Sequence, residues 1–301
     1  MSDSQYDVII IGGSYAGLSA GMTLGRALRK VLIIDGGKPC NRYARAAHNF
    51  IGHESEAPGK ILAEAKKQTL RYETIRFHEG LATEGRQDQN VFAIGTQAGE
   101  HFTSRKLLFA SGVRDLFPEI EGFAECWGVS VLHCPYCHGY EVKDQVTGII
   151  AHGESGFEMC RLISHWTKRL TLFANGKSSL TKEEQQQLDS RGIEVNEKEI
   201  VAFEHENGDI RHIVFSDGSA TPLSTVYARI GVDQHCAIPR QLGCALTEHD
   251  FIQVDESQQT SVKGVFAAGD CTTMMRAIAV AIADGVKAGM AINKELLDED
   301  F

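Results

Sequence analysis

Proline is scarce, with 6 residues, and no stretch of the chain is rich in lysine and arginine. With 30 glycines, 43% hydrophobic and 23% charged residues, the composition is that of an ordinary soluble globular protein with several tight turns. A formal net charge of -10 without any basic run argues against a nucleic-acid partner. No long uninterrupted hydrophobic run occurs either. The most apolar late stretch, Ala277 to Ile292, is broken by Asp284 and Lys287, so it is too short and too charged to span a bilayer. The N-terminal MSDSQYDVIII lacks a basic region followed by a long apolar segment, so it does not read as a secretory signal, and a cytoplasmic location with no membrane contact is expected. Among the 8 cysteines, close pairing is the rare feature. Cys40, Cys126, Cys160, Cys236, Cys244 and Cys271 are scattered and read as small buried hydrophobes, not a disulfide framework. Only Cys134 and Cys137 stand close together.

A chain of 301 residues has room for roughly two domains. Near its start, YDVIII (6 to 11) reads as a buried strand, followed by GGSYAG (12 to 17), a helical LSAGMTLGRAL and a second strand, VLIID, ending at Asp35. This is the strand, glycine turn, helix and strand of a dinucleotide-binding unit. Gly12 permits the turn, Gly17 lets the helix pack on the sheet, and the small Ser14 replaces the usual middle glycine. Tyr15 and Ala16 complete the turn, whose helix N-terminus offers N–H groups and a positive dipole end to a pyrophosphate. Asp35 can accept hydrogen bonds from a ribose hydroxyl.

A second unit of this kind lies in the middle: VTGII, AHGESG (151 to 156), FEMCRLISHW and the strand LTLF, which ends near Asn175. It is damaged as a coenzyme site. Ala151 replaces the first glycine, and Glu154 puts a carboxylate where phosphate should be attracted. Asn175 stands in place of both the acid that favours NAD and the arginines that favour NADP. Lys177, Ser178 and Ser179 remain as candidate phosphate ligands, and NAD(P)H binding is left open.

The stretch HCPYCH, residues 133 to 138, admits three chemistries: a redox dithiol, part of a zinc site, or C-x-x-C-H haem attachment. Structural zinc wants four ligands, and no second cysteine pair exists. Haem attachment requires export. The redox dithiol is therefore the reading taken, with the thiolate as nucleophile and a mixed disulfide as intermediate. His138 is the expected acid–base group, since imidazole exchanges protons near neutral pH. His133 and Trp127 are read as structural.

Several segments together resemble the low-molecular-weight thioredoxin reductases, which are FAD-dependent disulfide oxidoreductases: GGSYAG, HNFIG (48 to 52), CPYCHGYE (134 to 141) and VFAAGD (265 to 270). CPYCHGYE is closest to a branch that includes the dithiol oxidases of gliotoxin-like and holomycin-like natural products. In the reductases proper an aspartate follows the second cysteine, where this chain has His138. The resemblance implies an α/β fold of two Rossmann-like, three-layer dinucleotide-binding domains, the second inserted in the first. The FAD domain would be residues 1–114 and 244–301, and an NAD(P)-binding-like domain carrying the dithiol would be 115–243. It also implies that Gly269-Asp270 holds the ribitol of FAD and that the Arg276-Ala277 backbone meets the flavin's pyrimidine edge. The run CTTMMRAIAVAIADG after Asp270 reads as the start of a helix. Asn49 takes a position near the flavin, with the capping of a turn as its plainer role. Cys137 would be the cysteine beside the flavin and Cys134 the one that meets substrate. The implied substrate is a thioredoxin-like protein or a small-molecule disulfide or dithiol, and the implied assembly a homodimer. Alternatives are a flavin-dependent dithiol oxidase using O₂, a reductase fed by another donor such as ferredoxin, and a non-enzymatic redox sensor.

Overall fold

The computed structural model describes residues 5–301, so the first four residues of the N-terminal stretch lie outside it. The chain forms two compact units: one runs to Arg42 and takes in Gly59–Arg114 and Val232–Phe301, the other comprises Tyr43–Pro58 and Asp115–Gly231.

In the first unit, Val8, Ile9 and Ile10 of strand Gln5–Ile11 are fully buried. A strand covered on both faces needs no polar alternation, hence the unbroken apolar run. It pairs in parallel with Val31–Asp35 on one side and His101–Phe109 on the other. Ile75–Glu79 extends the sheet beyond Val31–Asp35, the strands Val91–Thr96 and Ala82–Asp88 extend it antiparallel at the opposite edge, and Val265–Ala267 pairs in parallel with His101–Phe109.

Helix Tyr15–Arg26 packs along the C-terminal helix Ile278–Asp300 at very close range. A Cβ at Gly285 would collide with the Ala16 carbonyl oxygen, and Ser19 Oγ donates to Ile282 O at 2.9 Å. The far end of the C-terminal helix is tied to the sheet by Lys106, whose buried ammonium lies 2.7 Å from Glu295 and 2.6 Å from Glu299. That helix begins later than the sequence suggests. Residues 271–277 are not helical, and Ala277, in an extended conformation, is the N-cap. Thr272 Oγ1 donates to Gly269 O (2.8 Å) and the Met275 amide donates to Thr273 Oγ1 (3.0 Å), side-chain bonds that give this backbone a non-helical route.

The second unit has its own five-stranded parallel sheet, in the order Glu194–Asn196, Leu170–Phe173, Thr147–Ile150, Thr225–Ala228 and Val131–Leu132. A three-stranded antiparallel sheet, Ile200–Glu206, Asp209–Phe215 and Ala220–Pro222, adds to it. Phe123, Trp127, Phe173, Phe203 and Phe215 fill part of its core. The helix after the second glycine turn runs Gly153–Ile163, four residues earlier than its apolar pattern indicates, because its first turn, Gly-Glu-Ser-Gly, carries no apolar residue. The architecture is α/β, with two Rossmann-like units. No helix among the described residues is long and apolar enough to cross a membrane.

Candidate active site

The first glycine turn is a tight cradle. Gly12 has φ +109°, and a Cβ there would collide with the Ala110 carbonyl oxygen; one at Gly17 would collide with the Gly12 carbonyl oxygen. Ser14 is the helix N-cap but makes no side-chain cap bond, and the first turn contains no acid. The N-terminal end of the helix thus presents backbone N–H groups and no acidic side chain, the arrangement a pyrophosphate needs. Asp35 accepts from the Gly13 amide (2.9 Å) and the Gly37 amide (3.2 Å), which fixes its carboxylate at the mouth of the turn with lone pairs to spare. Tyr15 and Ala16 are buried in the first turn, and burial pushes the Tyr15 phenol up. The second signature arrives at the same place. Gly269 has φ +78°, and a Cβ on it would stand 3.0 Å from that of Ala16. Asp270 lies 3.6 Å from Arg276 Nε, and Arg276 Nη2 lies 2.7 Å from Cys40 Sγ. These residues fit the diphosphate and sugar chain of FAD.

The dithiol sits in the second unit. Cys134 and Cys137 form a disulfide with their Cα atoms 5.3 Å apart, at the start of the short helix Pro135–His138. Cys134 is its N-cap, and its Sγ accepts a hydrogen bond from the Cys137 amide at 3.2 Å. A thiolate on Cys134 would therefore find an N–H donor in place. Pro135 at the first helical position locks the turn that creates this geometry. His138 follows at once. Burial pushes its imidazole below the ordinary range, and positive charge on His48 adds to this while Glu141 opposes it. A neutral imidazole near neutral pH is a proton acceptor. His133 stacks on the buried Trp127, with ring centroids 5.8 Å apart, and the indole N–H donates to Asp115 at 3.1 Å. Asn49 is exposed at a left-handed turn (φ +57°), with its amide donating to Glu54 at 2.9 Å.

The second glycine turn is occupied by its own chain. The Gly153 amide donates to Ser178 O (2.9 Å), so the loop after strand Leu170–Phe173 lies against the turn. The Asn175 side chain accepts from the Ile200 amide (2.7 Å), and the Ser178 amide donates to Glu197 (2.9 Å). Glu154 is exposed in the first turn of the helix, while Arg229 brings one positive charge to Ser155 at 3.1 Å.

The profile of the pyridine nucleotide-disulphide oxidoreductases matches residues 6–285. The chain belongs to that family. It is 33% identical to thioredoxin reductase tcpT of Claviceps purpurea, over 97% of this chain and 94% of that one. It is 29% identical to thioredoxin reductase sirT of Leptosphaeria maculans, over 99% and 96%. A crystal structure of an oxidoreductase from Agrobacterium tumefaciens superposes with a TM-score of 0.91 at 36% identity, covering 97% of this chain and 99% of that one. The protein is a FAD-dependent disulfide oxidoreductase of the thioredoxin reductase-like kind.

His138→Ala tests the acid–base role expected of this residue. It is expected to slow thiol–disulfide exchange by about 10²- to 10⁴-fold with FAD content intact. An unchanged rate and pH profile would return His138 to a structural role. His48 lies in the HNFIG stretch, where no motif marks it as functional. Its nearest signal was the glutamate six residues on, Glu54, whose carboxylate lies 2.7 Å from His48 Nδ1.

Proposed function

We propose that the protein oxidises dithiols or reduces disulfides through the Cys134–Cys137 pair, with the first unit binding FAD and NAD(P)H serving poorly as donor. The observation that carries this reading is the closed second glycine turn. Three polar groups that a coenzyme would engage, the Gly153 amide, the Asn175 side chain and the Ser178 amide, already have partners in the chain. Glu154 adds a charge of the wrong sign.

FAD, when bound, supplies a two-electron acceptor and donor for the protein dithiol. The chain's own residues perform the exchange. A substrate thiolate attacks Cys134 Sγ, the Cys134–Cys137 bond breaks, and Cys137 leaves as a thiolate that takes up a proton. The second substrate thiol then attacks the substrate sulfur of the mixed disulfide; the bond to Cys134 breaks, Cys134 leaves as a thiolate that takes up a proton, and the substrate disulfide closes with two protein thiols left. His138 accepts the proton given up by each attacking thiol. The relatives' names favour a thioredoxin-like protein, or a small dithiol or disulfide that exchanges in the same way, as substrate. A cytoplasmic homodimer is the accompanying proposal.

Stopped-flow reduction of the bound flavin by NADPH, NADH and a dithiol tests the reading. A carboxylate near a phosphate costs on the order of a few kcal/mol at short range, so affinity is expected to fall by roughly one to three decades. The dithiol is expected to reduce the flavin faster than either nucleotide, and Glu154→Asn with Ala151→Gly to improve the nucleotide reaction. Wild-type protein that binds NADPH at low micromolar levels and reduces its flavin rapidly would make this an ordinary NADPH-dependent reductase.

A further inference from the structure

We propose that His48 is a positioning residue for the exchange step: held at Nδ1 by Glu54 and Glu141, its ring faces His138 and keeps that ring available as the proton acceptor. This rests on the dithiol chemistry proposed above. The His48 and His138 rings meet edge to face at 85°, with centroids 6.0 Å apart. His48 Nδ1 lies 2.7 Å from Glu54 and 3.5 Å from Glu141, and its side chain is only 12% exposed.

The loop is built to hold this ring. The other oxygen of Glu54 accepts from the Asn49 amide (2.9 Å), so one carboxylate grips both the imidazole and the next residue's backbone. Ala47 and Glu56 close the loop below, through Ala47 N–H to Glu56 O (2.8 Å) and Ser55 N–H to Ala47 O (2.9 Å).

Positive charge on His48 acts across this contact to lower His138, in the same direction as burial. The charged and titratable groups facing His48 are Glu54, Glu141 and His138, and those acting on His138 are His48 and Glu141. Both carboxylates meet His48 at Nδ1, whereas burial and the charge on His48 both push His138 down. A thiol S–H then gives its proton to a ring nitrogen of His138, leaving a thiolate.

His48→Gln and His48→Lys decide it. In His48→Gln the opposing charge is gone, so His138 keeps its proton to higher pH, read by NMR titration of its ring in the oxidised protein. The exchange rate at pH 6 is expected to fall by roughly threefold to tenfold, with the pH 8 rate within about twofold of wild type. His48→Lys carries a permanent charge and is expected to keep the His138 titration at or below its wild-type position. A His138 titration that is the same in wild type and His48→Gln, or that moves upward in both variants, overturns the proposal. Should His48→Gln fail to fold, an upward shift in His48→Lys alone does so. The titration needs no substrate, so failure of the dithiol reading would appear separately, as a lack of turnover in wild type.

Discussion

Cys134→Ser and Cys137→Ser are each expected to abolish dithiol turnover, by on the order of 10³-fold or more, while the purified proteins keep their FAD. The two variants should fail differently. In Cys137→Ser, Cys134 remains able to join a substrate sulfur, and no second protein thiol is present to release it. Mass spectrometry of this variant after treatment with an activated substrate disulfide should show a stable mixed disulfide. In Cys134→Ser the remaining thiol has lost the arrangement in which the Cys137 amide donates to the sulfur of the residue at the helix N-cap. Its adduct should be scarce. Equal trapping by both variants would show that substrate reaches either sulfur, and predominant trapping by Cys134→Ser would reverse the two roles.

The parts of this molecule that were legible in the sequence are those in which local pattern and tertiary role coincide. YDVIII and VLIID are buried on both faces of a parallel sheet, so their unbroken apolar runs mark them as strands. The Gly12–Gly17 spacing was legible because backbone collision leaves no alternative to glycine at either end. The C-x-x-C spacing by itself left redox, zinc and haem chemistry open, and the lack of a second cysteine pair together with the flavin-like signatures elsewhere in the chain pointed to a redox pair. Less visible were features that depend on partners distant in sequence. The helix Gly153–Ile163 begins in a turn of glycine, glutamate and serine that carries no hydrophobic period. The run after Asp270 has helix-forming composition, yet threonine side chains divert its backbone as far as Ala277. Asn175 could be seen to be the wrong residue for a ribose, but its bond to the Ile200 amide, 25 positions on, could not. His48 meets His138 only because residues 43–58 pack with the second unit, a choice made by packing that no local motif announces.

Asp270→Ala is expected to release most of the FAD from the purified protein, and Gly12→Val all of it. The strands Gln5–Ile11 and Val265–Ala267 each run parallel to His101–Phe109, so their C-terminal ends open on one edge of the sheet, where α/β proteins bind nucleotides. At that edge, Gly269 abuts Ala16 and sets Asp270 beside the first helix turn. A hydrogen bond from a sugar hydroxyl to a carboxylate contributes about 1.5–3 kcal/mol, which corresponds to roughly ten- to hundredfold in affinity. FAD loosened to that degree is lost on gel filtration, and the remaining affinity can be read by titrating the apoprotein and following flavin fluorescence. Gly12→Val acts on the backbone instead. Valine disfavours φ +109°, and its Cβ would collide with the Ala110 carbonyl, so the turn that presents the helix amides must rearrange. Thermal unfolding separates the two causes, since Asp270→Ala should lose FAD with its apoprotein stability nearly unchanged, whereas Gly12→Val should lose both. If Asp270→Ala binds FAD as tightly as wild type, the carboxylate does not hold the sugar chain. The first glycine turn and Asp35 would then carry the cofactor without the second signature.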